Sequence, residues 1–558
     1  TCIGRDTLMG HFCTTRDRAA MLRDDVAPSH IARRPVGRSP GRSSLVVRPS
    51  ATRTDARAMD SRAVGRRVVV VVVVVDRERR RRRRREQRRR RGRERRRCVS
   101  SSSARENGGV DDDGSDGVAR ERGCAWRRTA ETFYRVESAQ ARDAAVACVR
   151  AWTRARDGTA GVTALDATAA SGARAVRYAA GVPGLRSVAC NDVDERVREV
   201  LEENLDAHVR SRGVEATTTF ADARRLFAEK WLEGELYDVV DVDGFGSANF
   251  TDDALRVVRY GGLFYATATD GRALCGQNAE RCATAFGNAV VAPSRPSVNE
   301  TALRVFIGDV VRRGAALKLD VSPVFSLFHP HGPVFRVMFR VDKGGGARSR
   351  YDAHDVDDGA STRVGFVGYC DACGNTEIIK RPLIDLFGHN KTVEDANGER
   401  SSLMCSTCAR RGESGERSAR LAVSGPLWIG SLHDRATVEA MRDEADALGW
   451  LRDDDEDASP RVKGQLSLRD LLDAFRAEAD PALSRSPHYF RTDELGRKGR
   501  AKRVPPRNVL ITALRNEGFA AARSHLDPRG LKTNASASQV VACANRACDA
   551  LDELEGRA

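Results

Sequence analysis

Val162-Thr-Ala-Leu-Asp166, followed by Ala167-Thr-Ala-Ala-Ser171-Gly172-Ala-Arg174, decides the fold. A short apolar run ends on a carboxylate, a turn of small residues follows, and Arg174 opens a segment of helical period. Such a run reads as a buried strand of a parallel sheet. Small residues at its carboxyl end let a ligand approach the backbone closely. The unit then repeats. Ser187-Val-Ala-Cys-Asn191 leads to Asp192, and Ala216-Thr-Thr-Thr-Phe220 leads to Asp222. Tyr237-Asp-Val-Val-Asp-Val-Asp243 and Leu263-Phe-Tyr-Ala-Thr267 complete five strands. Longer Ala/Arg/Glu segments of helical period separate them. This alternation predicts an α/β domain with a parallel sheet over residues 126–342.

Acidic residues end successive strands, which marks a nucleoside site. Asp192, 26 residues after Asp166, has the spacing of a carboxylate that binds ribose hydroxyls. Asp222 ends the third strand, where contacts to an adenine edge are expected. A nicotinamide dinucleotide and S-adenosyl-L-methionine both suit such a site. The pyrophosphate of the first wants a G-x-G-x-x-G loop at a helix N-terminus. That loop is missing, so the methyl donor is favoured. Asp243-Gly-Phe245-Gly then resembles the Asp/Asn-Pro-Pro-aromatic motif of amino-group methyltransferases, which implies methylation of an amine. The lone pair of an exocyclic amine on a nucleobase is delocalised into the ring. A carboxylate accepting its N–H raises its nucleophilicity, and a neighbouring ring stacks the extruded base. Asp243 and Phe245 are therefore the candidate catalytic pair. The competing reading of Asp243 is a cap for the next helix.

The chain has 558 residues and a net charge of +16, unevenly spread. Residues 1–97 hold 30 Arg against 10 acidic residues, and the remainder holds 64 basic against 68 acidic. A histone-like protein is thereby excluded, and nucleic-acid binding by the body must come from local patches. Residues 27–67 have the Arg/Ser/Ala/Pro composition of an organelle transit peptide. Residues 77–97 are almost pure Arg, a block expected to be disordered and to serve as a nuclear-localisation or RNA-contacting arm. The longest apolar run, Val68–Val75, is too short to span a bilayer, so no membrane partner is expected. Ordered structure is expected from near Thr132, after a disordered tail at 1–125. A linker at 343–362, a zinc module at 363–435, an RNA-binding domain at 436–534 and a tail at 535–558 are expected to follow. Helices are predicted at Ala436–Leu448 and Leu466–Ala477, with the acidic loop Asp453–Asp457 between them.

Cys370-x-x-Cys373 and Cys405-x-x-Cys408 form a four-thiolate set. Two such pairs suit a tetrahedral Zn²⁺ with no open position, which makes the metal structural. Redox dithiols and free thiols are the rival readings. Residues 485–532 hold 12 Lys+Arg against 4 Asp+Glu, with Tyr489, Phe490 and Phe519 interleaved. That pattern suggests phosphate contacts with base stacking; a solvated basic face is the alternative.

Taken in order, several stretches resemble one family, the tRNA (guanosine-26, N2)-dimethyltransferases. They include Phe133-Tyr134, Ala141-Arg142-Asp143, Ala170-Ser-Gly-Ala-Arg174, Asn191-Asp192 and Asp241-Val-Asp243-Gly-Phe-Gly-Ser. Asn299-Glu-Thr-Ala-Leu-Arg304, Val334-Phe-Arg-Val, Gly425-Pro-Leu-Trp-Ile-Gly-Ser-Leu-His-Asp434 and Ser524-His525 also fit. The resemblance implies a class I S-adenosylmethionine-dependent methyltransferase (Rossmann-like) domain with a C-terminal α+β domain, which the cysteine spacing makes zinc-containing. It implies N2-methylation, mono- and di-, of guanosine 26 in tRNA. It carries Arg142, Arg174, Asp192, Asp222 and Ala223 as methyl-donor contacts and Asp243 as the catalytic carboxylate. Two positions depart from the family: Gly244 replaces its proline, and Ala141 its asparagine. They leave open a tRNA-binding protein with weakened catalysis, or an amine methyltransferase acting on another substrate. The expected partner is tRNA, the expected state a monomer, and the expected location the nucleus or an organelle, plastid or mitochondrion.

Overall fold

The computed structural model describes residues 117–156, 161–291, 295–330, 333–344, 363–379, 404–410, 420–452, 457–484, 486–498, 501 and 503–554. The Arg-rich tail, Val68–Val75, nearly all of the 343–362 linker and most of the Asp453–Asp457 loop lie outside these residues.

Two short strands, β1 (Gly117–Glu121) and β2 (Cys124–Arg128), pair as a hairpin ahead of Thr132, where order was expected to begin. The tail therefore ends before 125. Arg122 and Gly123 both have positive φ, the geometry of a two-residue turn that matches strand twist. The strands read as polar because their buried positions are few: Ala119, Glu121, Cys124 and Trp126.

The main sheet has seven strands: β3 (Val162–Asp166), β4 (Leu185–Asn191), β5 (Glu215–Thr219), β6 (Tyr237–Val242), β7 (Val258–Ala268), β8 (Leu319–His329) and β9 (Val334–Lys343). Their order is β5-β4-β3-β6-β7-β9-β8. The five sequence-predicted strands are parallel neighbours, as expected. The sheet is not wholly parallel, because β9 runs antiparallel between β7 and β8. A hairpin from β8 returns β9 into the gap beside β7, and no sequence period distinguishes that from a further parallel strand.

β3 and β6 are buried along their whole length, as central strands covered on both faces must be. Alternate residues feed two cores. Leu165, Val240 and Val242 pack with helices Ala223–Glu233 and Val298–Ala316 on one face. Ala164 and Val239 pack with helices Ala139–Arg154 and Ala173–Gly181 on the other. Helices Arg435–Ala447 and Leu468–Glu478, close to the predicted bounds, join this second core through Val438, Met441, Leu472 and Phe475. The boundary expected at 436 thus cuts through a shared core.

A three-stranded antiparallel sheet of β10 (Val364–Cys370), β11 (Thr376–Ile379) and β12 (Leu421–Trp428) follows, in the order β11-β10-β12. Val367, Leu427 and Trp428 tie it to the first core. A last small sheet holds β13 (Phe490–Arg491), β14 (Ala521–Arg523) and β15 (Gly530–Thr533). The segment expected as a C-terminal tail is instead a helix, Ala537–Leu554. Val540, Cys543 and Ala544 recur at helical spacing and pack on Leu510 and Leu514.

The C-terminal elements are pinned to the helices packed on the main sheet by buried charge. Lys532 of β15 donates from Nζ to Glu300 Oε1 at 2.7 Å and lies 3.7 Å from Glu478 Oε2. Glu300 also accepts from Arg304 Nη2 at 2.9 Å, and Glu478 pairs with His525 Nδ1 at 2.9 Å. Burial alone would raise the Glu478 carboxyl, but His525 and Lys532 outweigh it and hold it well below the usual range. Removing one partner of a buried pair leaves its opposite charge stranded, which costs about 3–5 kcal/mol. Lys532→Met should therefore lower the urea midpoint sharply, and adding Glu300→Gln should recover part of the loss. Equal midpoints for Lys532→Met and wild type would show that the network adds nothing.

Candidate active site

The carboxyl edge of the main sheet gathers the acidic residues picked out in the sequence. Asp166 and Asp241 lie opposite one another in the β3–β6 register. Both are about 1% exposed, and Asp166 Oδ2 and Asp241 Oδ1 have no hydrogen-bond partner among the described residues. Burial, and then the neighbouring Asp241 charge, push the Asp166 carboxyl up, and burial raises Asp241 as well. Asp241 Oδ2 accepts from Arg174 Nη1 at 2.9 Å and from the Tyr178 hydroxyl at 2.7 Å.

Asp243 follows directly after β6. Its Oδ1 accepts from Thr267 Oγ1 at 2.7 Å and Arg336 Nε at 3.0 Å. Its Oδ2 accepts from Arg336 Nη2 at 3.3 Å and from Arg174 Nη2. Burial would raise this carboxyl, but the guanidiniums of Arg174 and Arg336 override it and keep Asp243 far below the usual carboxylate range. Its side chain is 14% exposed, so the ionised group still opens outward. Beside it, Phe245 is 72% exposed and meets the 55%-exposed Phe133 edge-on, ring centroids 4.9 Å apart. Two large apolar rings held out to solvent next to a fixed anion form a place for a flat, hydrogen-bonding ligand.

The turn 167–172 is held by the residues expected to meet a methyl donor. Ala170 has φ +46, a left-handed conformation unfavourable for a residue with a Cβ. Its N–H donates to Asp192 Oδ2 at 2.8 Å, and Asp192 Oδ1 accepts from Asp194 N at 2.9 Å. Gly172 has φ +77, and a Cβ there would approach Leu201 to 2.9 Å. Asp222 is exposed and caps the helix at Ala223 by accepting from Arg224 N; Ala223 is buried. Arg142 points elsewhere: its guanidinium is buried on Glu121, with Nη2 at 2.5 Å from Oε1. Glu121 is also bound by Arg177 and Tyr134. Asp192, Asp222, Arg174 and Asp243 thus share one edge, while Arg142 is engaged with the β1–β2 hairpin. Orphaned carboxylate oxygens and a small-residue turn without a phosphate cradle fit a nucleoside donor lacking pyrophosphate.

Sequence reading missed three parts of the site as functional residues. Arg336 and Thr267 face each other across β9 and β7 and converge on Asp243. Phe133 supplies the second ring. Asn191 cross-links the strand ends, donating from Nδ2 to Ala167 O at 3.1 Å and to Ala221 O at 3.0 Å. A charged residue alone in the apolar run Val334-Phe-Arg336-Val-Met-Phe339 was the available signal for Arg336.

The four thiols expected as metal ligands do converge. Cys370 Sγ lies 3.7 Å from Cys408 Sγ, and Cys373 Sγ 3.6 Å from Cys405 Sγ. All four lie within 4.8 Å of one another and are buried. Tetrahedral thiolates at about 2.3 Å from Zn²⁺ stand about 3.8 Å apart, so the donor set fits that ion. His433, Glu478 and His525 form a second compact group. There, His433 Nδ1 accepts from Ser326 N at 3.4 Å, which puts the proton of the neutral ring on Nε2, facing Glu478. Lys532, 3.7 Å from Glu478 Oε2, already supplies positive charge to this group.

The C-terminal basic block differs from its expected form. Tyr489 and Phe490 are 2% and 7% exposed, inside cores, so they offer no face to a base. Phe519 packs partly against the last core. Arg497, Arg503 and Arg529 are exposed but pair with Glu494, Asp552 and Asp493. Arg500 and Lys502 lie outside the described residues.

Residues 117–545 match the family model of N2,N2-dimethylguanosine tRNA methyltransferase. The tRNA (guanine(26)-N(2))-dimethyltransferase of Pyrococcus horikoshii is 27% identical over 387 residues, covering 66% of this chain and 83% of that protein. The mitochondrial protein of the same name from Saccharomyces cerevisiae is 27% identical over 391 residues, 67% of this chain and 61% of its own length. The human one is 28% identical over 396 residues, 70% and 54%. The chain therefore spans little more than half the length of these two eukaryotic relatives. Trm1 from Pyrococcus horikoshii, solved with S-adenosyl-L-methionine, shares the fold: TM-score 0.57 at 22% identity, covering 76% of this chain and 99% of that one.

Gly244 tests how tightly the edge is packed. A Cβ there would come to 2.9 Å from Thr168 Cγ2. Gly244→Pro should lower the melting temperature by the equivalent of about 1–3 kcal/mol of overpacking. Thr168→Ser removes that methyl and should restore most of the loss in the double variant. An equal drop in both backgrounds would show that the methyl is not the obstacle.

Proposed function

The chain belongs to the N2,N2-dimethylguanosine tRNA methyltransferase family, and on that premise we propose that it methylates the exocyclic N2 of guanosine 26 in tRNA, once and then again. The observation that carries this reading is the ionised Asp243 beside the exposed Phe133–Phe245 pair. Bound S-adenosyl-L-methionine supplies an electrophilic methyl group on a sulfonium. Asp192, Asp222, Ala223 and Arg174 border the donor's place, and the turn at Ala170 lets it lie against the backbone. Arg142 supports the site indirectly, by anchoring the β1–β2 hairpin through Glu121. The two phenylalanine rings receive the extruded guanine. Asp243 accepts one N–H of its amino group, which orients the nitrogen lone pair toward the methyl carbon. No proton has to be removed first.

Cys370, Cys373, Cys405 and Cys408 hold a structural Zn²⁺ in this reading, with no coordination position left for catalysis. tRNA is the partner, its backbone met by exposed arginines of the 485–532 block, whose acidic neighbours temper their charge. No helix among the described residues is long and apolar enough to cross a membrane. The Arg-rich segments before 98 support an address in the nucleus or an organelle.

Asp243→Asn keeps the shape of the side chain and removes its charge. It should cut methyl transfer to tRNA by about 10²-fold or more while tRNA binding persists. Mass spectrometry of nucleosides from tRNA treated with labelled donor reads this directly, and near-normal N2-methylguanosine would remove Asp243 from the reaction. Cys370→Ser with Cys373→Ser should abolish bound zinc and destabilise the protein, because thiolate binding of the metal is coupled to folding. Unchanged zinc by elemental analysis would refute that site.

A further inference from the structure

An ionised carboxylate offers about four lone-pair positions. At Asp243 all four are taken: Thr267 Oγ1 and Arg336 Nε at Oδ1, Arg336 Nη2 and Arg174 Nη2 at Oδ2. A substrate N–H can reach this carboxylate only by replacing one of them. Arg336 is poorly placed to leave. It grips through two N–H groups, its Nη2 also donates to Ser138 Oγ at 3.0 Å, and its backbone is paired on both sides within β9. Arg174 grips Asp243 through a single N–H, and its Nη1 already rests on Asp241 Oδ2 at 2.9 Å. The other oxygen, Asp241 Oδ1, is buried and has no partner among the described residues. Asp241 lies two residues before Asp243 along the strand, and therefore on the same face. The Arg174 guanidinium also stacks 4.7 Å over the Tyr265 ring, a surface along which it can shift without losing its packing.

We propose that Arg336 is the fixed arm and Arg174 the exchangeable arm of a clamp on Asp243, and that Asp241 receives Arg174 as a two-point partner when the amino N–H docks. This rests on the reading of Asp243 as the acceptor for the guanine amino group. It adds Arg336 and Asp241 as positioning residues. With Arg336 in place throughout, Asp243 stays ionised and acts as an acceptor, not as the base that keeps the proton. The N2 lone pair forms the new C–N bond, the electron pair of the broken C–S bond stays on sulfur, and the proton on nitrogen passes to water. A second methylation repeats the step with the one N–H that remains.

The test uses the whole protein, with kcat and KM for tRNA measured across pH for wild type, Arg336→Met, Arg336→Lys, Asp241→Asn and Asp243→Asn. Removing a guanidinium raises the Asp243 carboxyl, the protonated form cannot accept an N–H, and activity is then lost as pH falls. Wild type should show no acid limb above pH about 5.5, beyond the ordinary carboxylate range. Arg336→Met should lose about a hundredfold in kcat at neutral pH with little change in KM. Its Asp243 carboxyl should move upward by roughly one to three pH units, toward the ordinary carboxylate range, with Arg174 still holding it down. Arg336→Lys keeps the charge but not the fork, and should fall between the two. Asp241→Asn should lower kcat at every pH without a new limb, because Arg174 has nowhere to go. A wild-type kcat for Arg336→Met, or for Asp241→Asn, overturns the clamp. If melting or donor-binding calorimetry shows Arg336→Met to be unfolded, the Arg336→Lys profile decides. Full turnover by Asp243→Asn would instead overturn the reading of Asp243 itself, whereas an inactive Asp243→Asn beside a wild-type-like Arg336→Met overturns the clamp alone.

Discussion

Burying three carboxyls along one edge of a parallel sheet is unfavourable unless cations or protons are buried with them. Asp166, Asp241 and Asp243 meet that constraint in two ways. Burial raises the Asp166 carboxyl toward its neutral form, while Asp241 and Asp243 share Arg174, and Asp243 has Arg336 besides. The rest of the site follows from this arrangement. Arg174 must stand at the start of the helix after the small-residue turn, so that its guanidinium reaches both acids. The turn must therefore bend sharply, and Ala170 and Gly172 take left-handed conformations to let it.

A second buried charge lattice does for the domain arrangement what the first does for the site. Glu300 and Arg304 come from a helix lying on the main sheet, Glu478 from a helix in the opposite core, and Lys532 from the last small sheet. One lysine between two carboxylates requires all three elements to be in place together. A purely apolar contact would tolerate sliding; a lysine 2.7 Å from Glu300 and 3.7 Å from Glu478 does not. The C-terminal elements are thereby held in a defined position relative to the edge that carries Asp243.

Much of the fold was legible because parallel strands are continuous apolar runs with acidic ends, a pattern that local reading captures. Asp243, Phe245 and the four cysteines were legible for the same reason: each belongs to a short, contiguous motif. Arg336 was not, since its partner lies 93 positions earlier in the chain, and only strand pairing brings them together. Tyr489 and Phe490 misled because interleaving with basic residues looks the same whether a ring faces RNA or the core; tertiary burial decides it. The β1–β2 hairpin was invisible because its anchor is Glu121, a charged residue whose value lies in two buried arginines elsewhere. Helix Ala537–Leu554 did show an apolar period, but acidic and small residues around it gave it the composition of a tail.

The position of β9 ties topology to chemistry. A strand added in parallel beyond β7 would present its carboxyl end at the site, and its side chains would enter from a loop. Running antiparallel, β9 instead places the interior of a strand beside Thr267, with Arg336 in direct register. A guanidinium held in the middle of a hydrogen-bonded ladder has little freedom to swing, unlike one on a loop. The single antiparallel strand in this sheet therefore supplies a rigid cation at Asp243, the carboxylate proposed to accept the substrate amine. The second cation on Asp243, Arg174, comes from the first turn of helix Ala173–Gly181.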